Sequence, residues 1–211
     1  MTTTSGRGRG RPPVSSREAI ERQAMRLFRE HGYAATTIPM IARASGVSRT
    51  SVFRYWGSKA EIIWAEFETH THRLSQLLRE ADQGAATMTI VREQVVANLA
   101  RSIDDTPLWM ERFAILDSSP DLQGEAAAHW LVWAAVIAEY VAQRHGVEPA
   151  EVLPQSTGAA VQGAFSAMLR RWLRVDEPSS ALLPELDAAL RPLCEVLQRW
   201  IDGQVTTAEE D

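Results

Sequence analysis

A chain of 211 residues, 45% hydrophobic and 23% charged, holds one or two small domains and can bury a core without disulfide staples. The composition excludes a disordered polymer, a collagen-like repeat and a membrane bundle, and the single cysteine, Cys194, rules out an intrachain disulfide and leaves a reducing cytoplasm as the expected compartment. The net charge of −5 is unevenly placed: residues 1–68 hold eleven Arg/Lys against six acids, and residues 69–211 hold eleven against twenty-one. That split reads as a basic N-terminal module on an acidic body, although a solvated basic face would give the same excess.

Met1–Pro13 carries arginines but no apolar stretch, so no secretory signal is expected. Ser15-x-x-Glu18 reads as a capping box, followed by Ile20, Ala24, Leu27 and Phe28 at helical spacing and closed by Gly32. Thr37 caps a short second helix with Pro39 in its first turn, Gly46 ends it, and Ser48 caps a third, Arg49–Tyr55. Ser58-x-x-Glu61 is a second capping box that opens a long helix. Further helices fit residues 88–103, 107–116, 122–145, 152–173 and 184–201, with Pro192 expected to kink or split the last. The longest apolar run, Trp130–Ala138, is nine residues and falls short of a membrane span. The expected fold is all-α: a three-helix N-terminal domain and a C-terminal helical bundle.

Residues 38–55 carry the sharpest functional signal. Two short helices meet across Ala44-Ser45-Gly46-Val47-Ser48, the spacing of a helix-turn-helix. Ile41, Ala42, Val47 and Val52 face inward, leaving Arg49, Thr50, Ser51, Arg54 and Tyr55 outward. Hydroxyl, aromatic and guanidinium groups of this kind read base edges and phosphates in a major groove. Lys59, the only lysine in the chain, stands near the start of the next helix, where a phosphate is favoured.

Arg17-Glu-Ala-Ile, Leu27-Phe28-x-x-x-Gly32-Tyr33, Thr36-Thr37-Ile38-x-x-Ile41-Ala42, Ser45-Gly46-Val47-Ser48 and Val52-Phe53-x-Tyr55-Trp56-x-Ser58-Lys59 together resemble the DNA-binding domain of the TetR family of transcriptional regulators. The resemblance implies DNA contacts by Thr37, Ser48, Arg49, Thr50, Ser51, Phe53, Arg54, Tyr55 and Lys59. Trp56 in place of the usual Phe, Gly57 where Pro or a polar residue is common, and Met40 in place of a frequent acid depart from the pattern and put local packing in question. Ahead of this domain, Gly8-Arg9-Gly10-Arg11-Pro12 resembles an AT-hook core, so that Arg9 and Arg11 would enter a narrow A·T minor groove; a basic tail attracting phosphate is the plainer alternative. The expected organisation is a disordered basic arm over 1–15, the helix-turn-helix domain over 16–60, a regulatory domain over 61–204 and an acidic tail over 205–211.

The acidic body shows no Gly-rich phosphate loop, Cys-x-x-Cys or Ser/His/Asp arrangement, so neither an enzyme nor a cofactor is expected, and His70 and His129 read as core or pocket-wall residues rather than metal ligands. Six of the seven tryptophans lie in it. The helix over 122–145 is apolar on both faces, as befits the centre of a bundle. Trp109, Met110, Phe113, Trp130, Trp133, Phe165 and Met168, with His129 and the polar Gln162 and Arg112, are candidate walls of an apolar effector cavity, and plain core is the other reading. TetR regulators bind a small effector in this domain, which favours the cavity. Phe53–Trp64 and the Trp-containing central helix further resemble the subgroup associated with mycofactocin genes, which implies an acyl-CoA-like ligand with Arg112 meeting phosphate at the cavity mouth.

Small residues Gly158, Gly163 and Ala167 on one helix, with Leu190, Leu193 and Leu197 on the last, are expected to form a four-helix homodimer interface, as the resemblance implies; internal packing of the small residues is the alternative. A two-fold dimer presents two recognition helices to a palindromic double-stranded operator. The expected function is a homodimeric repressor released from DNA by a small apolar effector. The rival with the same fold is a nucleoid or division factor that binds DNA and a protein partner without an effector.

Overall fold

The computed structural model describes residues 16–105, 108–174 and 181–208, and every regular element among them is an α-helix. Arg9 and Arg11 lie outside the described residues, as do residues 209–211 of the acidic tail. The chain divides into two compact units between Ile62 and Ile63.

In the first unit, α1 (Arg17–His31) buries Ile20, Ala24, Leu27 and Phe28 along one face and ends at Gly32, whose φ of +81° few side chains tolerate. Its cap is Ser16 and not Ser15: the Ser16 hydroxyl accepts from Ala19 N at 3.1 Å. With two adjacent serines, the cap falls to the one that the helical register puts three residues before a free N–H. Helix α2 (Ile38–Ala44) takes Thr37 as cap and Pro39 in its first turn, where a missing N–H costs nothing. Gly46, at φ +66°, turns the chain while Val47 N donates to Ala42 O at 3.0 Å. Helix α3 (Arg49–Tyr55) starts at Ser48, whose hydroxyl accepts from Ser51 N at 3.0 Å. Ile41, Ala42 and Val52 are buried, which fixes α2 against α3 and sets the outward face of α3.

The second unit holds most of α4 (Glu61–Glu80), then α5 (Thr87–Asp105), α6 (Trp109–Ser118), α7 (Pro120–His145), α8 (Val152–Trp172) and α9 (Leu182–Ala208). Helix α7 packs on α8, and α9 packs on both α5 and α8. Contact between α7 and α8 is close at Gly158, where an added Cβ would lie 2.3 Å from the Ala134 carbonyl oxygen. The turn joining α4 to α5 is tied by Arg144 of α7, which donates to the carbonyls of Gln83 (2.9 Å) and Ala85 (2.6 Å) and to the Thr87 hydroxyl (2.9 Å).

Pro192 does not split the last helix, which is assigned continuously from Leu182 to Ala208. Both Pro192 and Ala188, whose carbonyl loses its helical donor, are exposed. Water can serve that carbonyl, and the apolar residues on the opposite face, Leu186, Leu190, Leu197 and Ile201, hold the helix in place. Among the described residues no helix is long and apolar enough to cross a membrane.

Candidate functional sites

Four side chains of α3 stand exposed: Arg49, Thr50, Phe53 and Arg54. Phe53 is 53% exposed. Arg54 leans along its neighbour, with Nη2 3.3 Å from the Tyr55 hydroxyl and its guanidinium carbon 4.9 Å from the ring centroid. Ser51 and Tyr55 are half-buried. The hydroxyls of Thr37 and Ser48 are engaged as helix caps, toward Met40 N (3.4 Å) and Ser51 N (3.0 Å), and Ser48 Oγ also shares a hydrogen bond with Ser51 Oγ at 2.9 Å. The arrangement presents guanidinium, hydroxyl and aromatic groups on one face, with no acid among them.

Lys59 is placed otherwise than a free phosphate contact requires. Its ammonium donates to the carbonyls of Tyr33 (2.8 Å) and Thr36 (3.0 Å) and lies 4.0 Å from the Tyr33 ring centroid. The lysine therefore ties the α1–α2 turn to the start of α4, and a phosphate there has to share it.

Two of the three departures from the family pattern have local explanations. Trp56 is 2% exposed and lies under the Arg17 guanidinium, 4.1 Å from the ring centroid, so the larger ring supplies a stacking surface for α1. Gly57 donates its N–H to the Glu61 carboxylate, a bond that proline cannot make, and a Cβ there would stand 2.9 Å from that carboxylate. Ser58 meanwhile caps Glu61 N at 3.0 Å.

In the second unit the structure gathers five of the expected cavity residues into one aromatic cluster. Trp133 stacks on Phe165 with centroids 5.0 Å apart. Trp130 meets Trp133, Phe165 and Phe113 at 6.2–6.4 Å, and Phe113 stacks on Trp109 at 6.4 Å. The rings touch one another, and Trp133 Nε1 is buried without a hydrogen-bond partner among the described residues. Met110, Gln162 and Met168 are half-buried, with Gln162 donating to Ser166 Oγ at 3.3 Å. His129 sits on the α4 side, stacked on Trp64 at 3.9 Å.

Arg112 lies at no mouth. It is 4% exposed, because Trp109, Phe113 and Leu116 share its face of α6 and carry it inward, and burial lowers its pKa to about 10.

Periodicity within α6, α7 and α8 could not reveal the cluster's polar edge, which comes from α4 and α5. His70 is fully enclosed, 5.2 Å from Trp109 and 5.9 Å from Phe165 between centroids. Ser102 Oγ donates to Asn98 O at 3.0 Å, so it accepts the proton of His70 Nδ1 at 2.7 Å, while Asn98 Nδ2 donates to His70 Nε2 at 3.1 Å and to His70 O at 3.0 Å. Burial, aided by the Arg73 charge, pushes the His70 pKa down to about 3 and keeps the ring neutral. Asn98 Oδ1 is buried with no partner among the described residues.

The six residues expected at a dimer interface divide. Gly158, Leu190 and Leu197 are buried within the protomer, so their helical rows face its own core. Leu193 is half-buried, whereas Gly163 and Ala167 are exposed.

Comparison with known proteins agrees with this layout. Residues 20–65 match the family described as bacterial regulatory proteins, tetR family, and residues 85–198 match the MftR C-terminal domain. A protein of Mycobacterium tuberculosis, named for a proposed role as the mycofactocin biosynthesis transcriptional regulator MftR, is 30% identical over 180 residues, covering 85% of this chain and 90% of its own length. The HTH-type transcriptional regulator TcmR of Streptomyces glaucescens is 26% identical over 201 residues, covering 91% of this chain and 89% of its own. In fold, the chain is similar to a tetR family transcription regulator from Shewanella sp. PV-4, with a TM-score of 0.58, 21% identity, and coverage of 85% of this chain and 96% of that one.

Proposed function

Because the chain belongs to the TetR family of bacterial transcriptional regulators and carries an MftR-type C-terminal domain, we propose that it is a homodimeric repressor released from a palindromic operator by a small apolar effector of the acyl-CoA class. The observation that carries the DNA-binding half is the exposed row Arg49, Thr50, Phe53 and Arg54 on α3, presented by a helix whose opposite side is locked by buried Val52. Arginines on such a row meet phosphates and guanine edges, and the hydroxyl and ring add contacts to neighbouring bases.

The aromatic cluster supports the effector half. An acyl chain suits walls of Trp109, Phe113, Trp130, Trp133 and Phe165. Buried Asn98 Oδ1 and Trp133 Nε1 are an acceptor and a donor that a polar ligand group would satisfy. Since the rings touch in this structure, the ligand must part them on entry, and the buried Arg112 has to reach its phosphate from inside the domain. An effector weakens DNA binding only by its difference in affinity between two placements of α4, about 1.4 kcal/mol for each tenfold loss.

For the dimer, the face that remains open combines Ala159, Gly163 and Ala167 of α8, four residues apart, with Pro192, Val196 and Trp200 of α9, again four apart. Small residues on one helix and larger apolar ones on the other allow two copies to approach closely across a two-fold axis.

Thermal unfolding at fixed protein concentration, against acyl-CoAs of graded chain length with free CoA and fatty acids as controls, tests the effector. A ligand at 100 times its Kd adds about 2.7 kcal/mol, a rise of roughly 5–11 °C for a chain of this size. A saturable rise that grows with chain length is expected; a flat result removes the acyl-CoA class and leaves the DNA-reading face untouched.

A further inference from the structure

A groove of about 700 Å³ runs between α4 and α7, lined in part by His129, the ring that stacks on Trp64. Phe67 of α4 and Val132 and Val136 of α7 give it an apolar floor, and Val132 is 60% exposed. Uncovered aliphatic surface of this kind in a concave site is what a small-molecule pocket presents. The fixed charges on its lining are all of one sign. Glu68 stands at one end, 3.9 Å from His129 Nδ1, and Glu139 lies ten residues farther along α7, about 15 Å by helical rise.

No arginine or lysine lines the groove among the described residues. Of the nearest cations on α4, Arg73 donates to Ser102 Oγ, whereas Arg79 donates to the hydroxyl of Ser75, which lines the groove beyond the Glu68 end. His72 lines the groove and is hydrogen-bonded to Gln76 at 3.0 Å. His129 is held below its ordinary pKa by burial, against the opposing pull of Glu68 and Glu125, and is therefore neutral at pH 7. Glu125 adds a further carboxylate at the Glu68 end, where it accepts from Trp64 Nε1 at 2.8 Å.

We propose that this groove binds an amphiphilic organic cation, with its positive head at Glu68 and its apolar body laid over Phe67, Val132 and Val136. The charge sets the class: an anion of the same shape meets a carboxylate at each end and no arginine or lysine on the lining among the described residues. An acyl-CoA effector accordingly binds elsewhere in the domain, and this site stands whether or not that effector reading holds. Exposed carboxylates act weakly and are screened by salt. The preference for cation over anion is therefore modest, about tenfold for the two glutamates together at low ionic strength.

The test is isothermal titration calorimetry of the full-length protein at low salt with decyltrimethylammonium and with decanoate, which share a tail and differ in the sign of the head. The ammonium is expected to bind saturably and about tenfold more tightly than decanoate, with the gap shrinking to twofold or less in the E68Q/E139Q double variant. Ala135→Trp, which fills the groove from α7, is expected to abolish ammonium binding while the far-ultraviolet circular dichroism of the helices is retained. Equal affinity for the two probes, saturable binding of neither, or a preference that survives in E68Q/E139Q overturns the proposal. So does ammonium binding undiminished in Ala135→Trp. Should that variant fail to fold, the double variant decides alone, since it removes only surface charge.

Discussion

Arg54 is exposed on α3, and its hydrogen bond, to the Tyr55 hydroxyl, is of a kind that is readily exchanged for a phosphate or a base edge. Arg54→Ala is expected to abolish operator binding while leaving the dimer intact, as read by footprinting beside size-exclusion chromatography with light scattering; an unchanged footprint removes Arg54 from the DNA-reading set. His70 bears on stability instead. Its folded pKa of about 3 lies below the ordinary 6.5, so between those values the unfolded chain holds a proton that the folded chain does not. The contribution is complete above pH 6.5 and is lost as pH falls toward 3, at about 1.4 kcal/mol per pH unit. Urea midpoints are expected to fall from pH 7 to pH 5.5 by the equivalent of about 1 kcal/mol for this residue. His70→Gln should flatten the slope to the smaller part due to His129 and His145, which burial also holds low. An identical slope in the variant would show that His70 is protonated in the folded state.

At the scale of the helix, the two glycines Gly158 and Gly124 make opposite predictions. Gly158 of α8 lies against backbone that cannot rotate away, the Ala134 carbonyl and Ala138 N of α7. Gly158→Ala is expected to cost about 1–3 kcal/mol, a fall of several degrees in Tm. Gly124 of α7 has nothing within 4 Å of where a Cβ would go, so Gly124→Ala is expected to gain about 0.5–1 kcal/mol of helix propensity. A common direction in both thermal melts would refute the packing described for α7 on α8. The same scale shows what the sequence could tell. Caps at Thr37, Ser48 and Ser58 are local chemistry, and each is found where a hydroxyl precedes a free N–H by three residues. Trp109 with Phe113, and Trp130 with Trp133, share faces at helical spacing. His70 already reads as a core or pocket-wall residue, but periodicity is silent on which helix will lie opposite, so its pairing with Asn98 and Ser102 of α5 was illegible. Nor does a local pattern say that an arginine is carried inside by its neighbours, as Arg112 is, or that an adjacent carbonyl already holds a lysine, as at Lys59.

For the whole molecule, an operator of two half-sites requires two copies of α3, and hence a dimer. Val196 is 54% exposed on the open face of α9. Val196→Glu therefore leaves the protomer core intact while placing two like charges across the proposed two-fold axis. The variant is expected to be a folded monomer in light scattering with operator affinity reduced by more than tenfold; a dimer of unchanged strength would move the interface to another surface.

A repressor released by its effector requires that ligand and DNA compete through one protein. Fluorescence anisotropy decides this on duplexes spanning the region upstream of the protein's own gene, at fixed salt and with and without saturating long-chain acyl-CoA. Saturable binding to one or two segments is expected, with the ligand raising the apparent Kd at least tenfold. Equal binding to every duplex, or an operator affinity unmoved by a ligand that demonstrably binds, would contradict it.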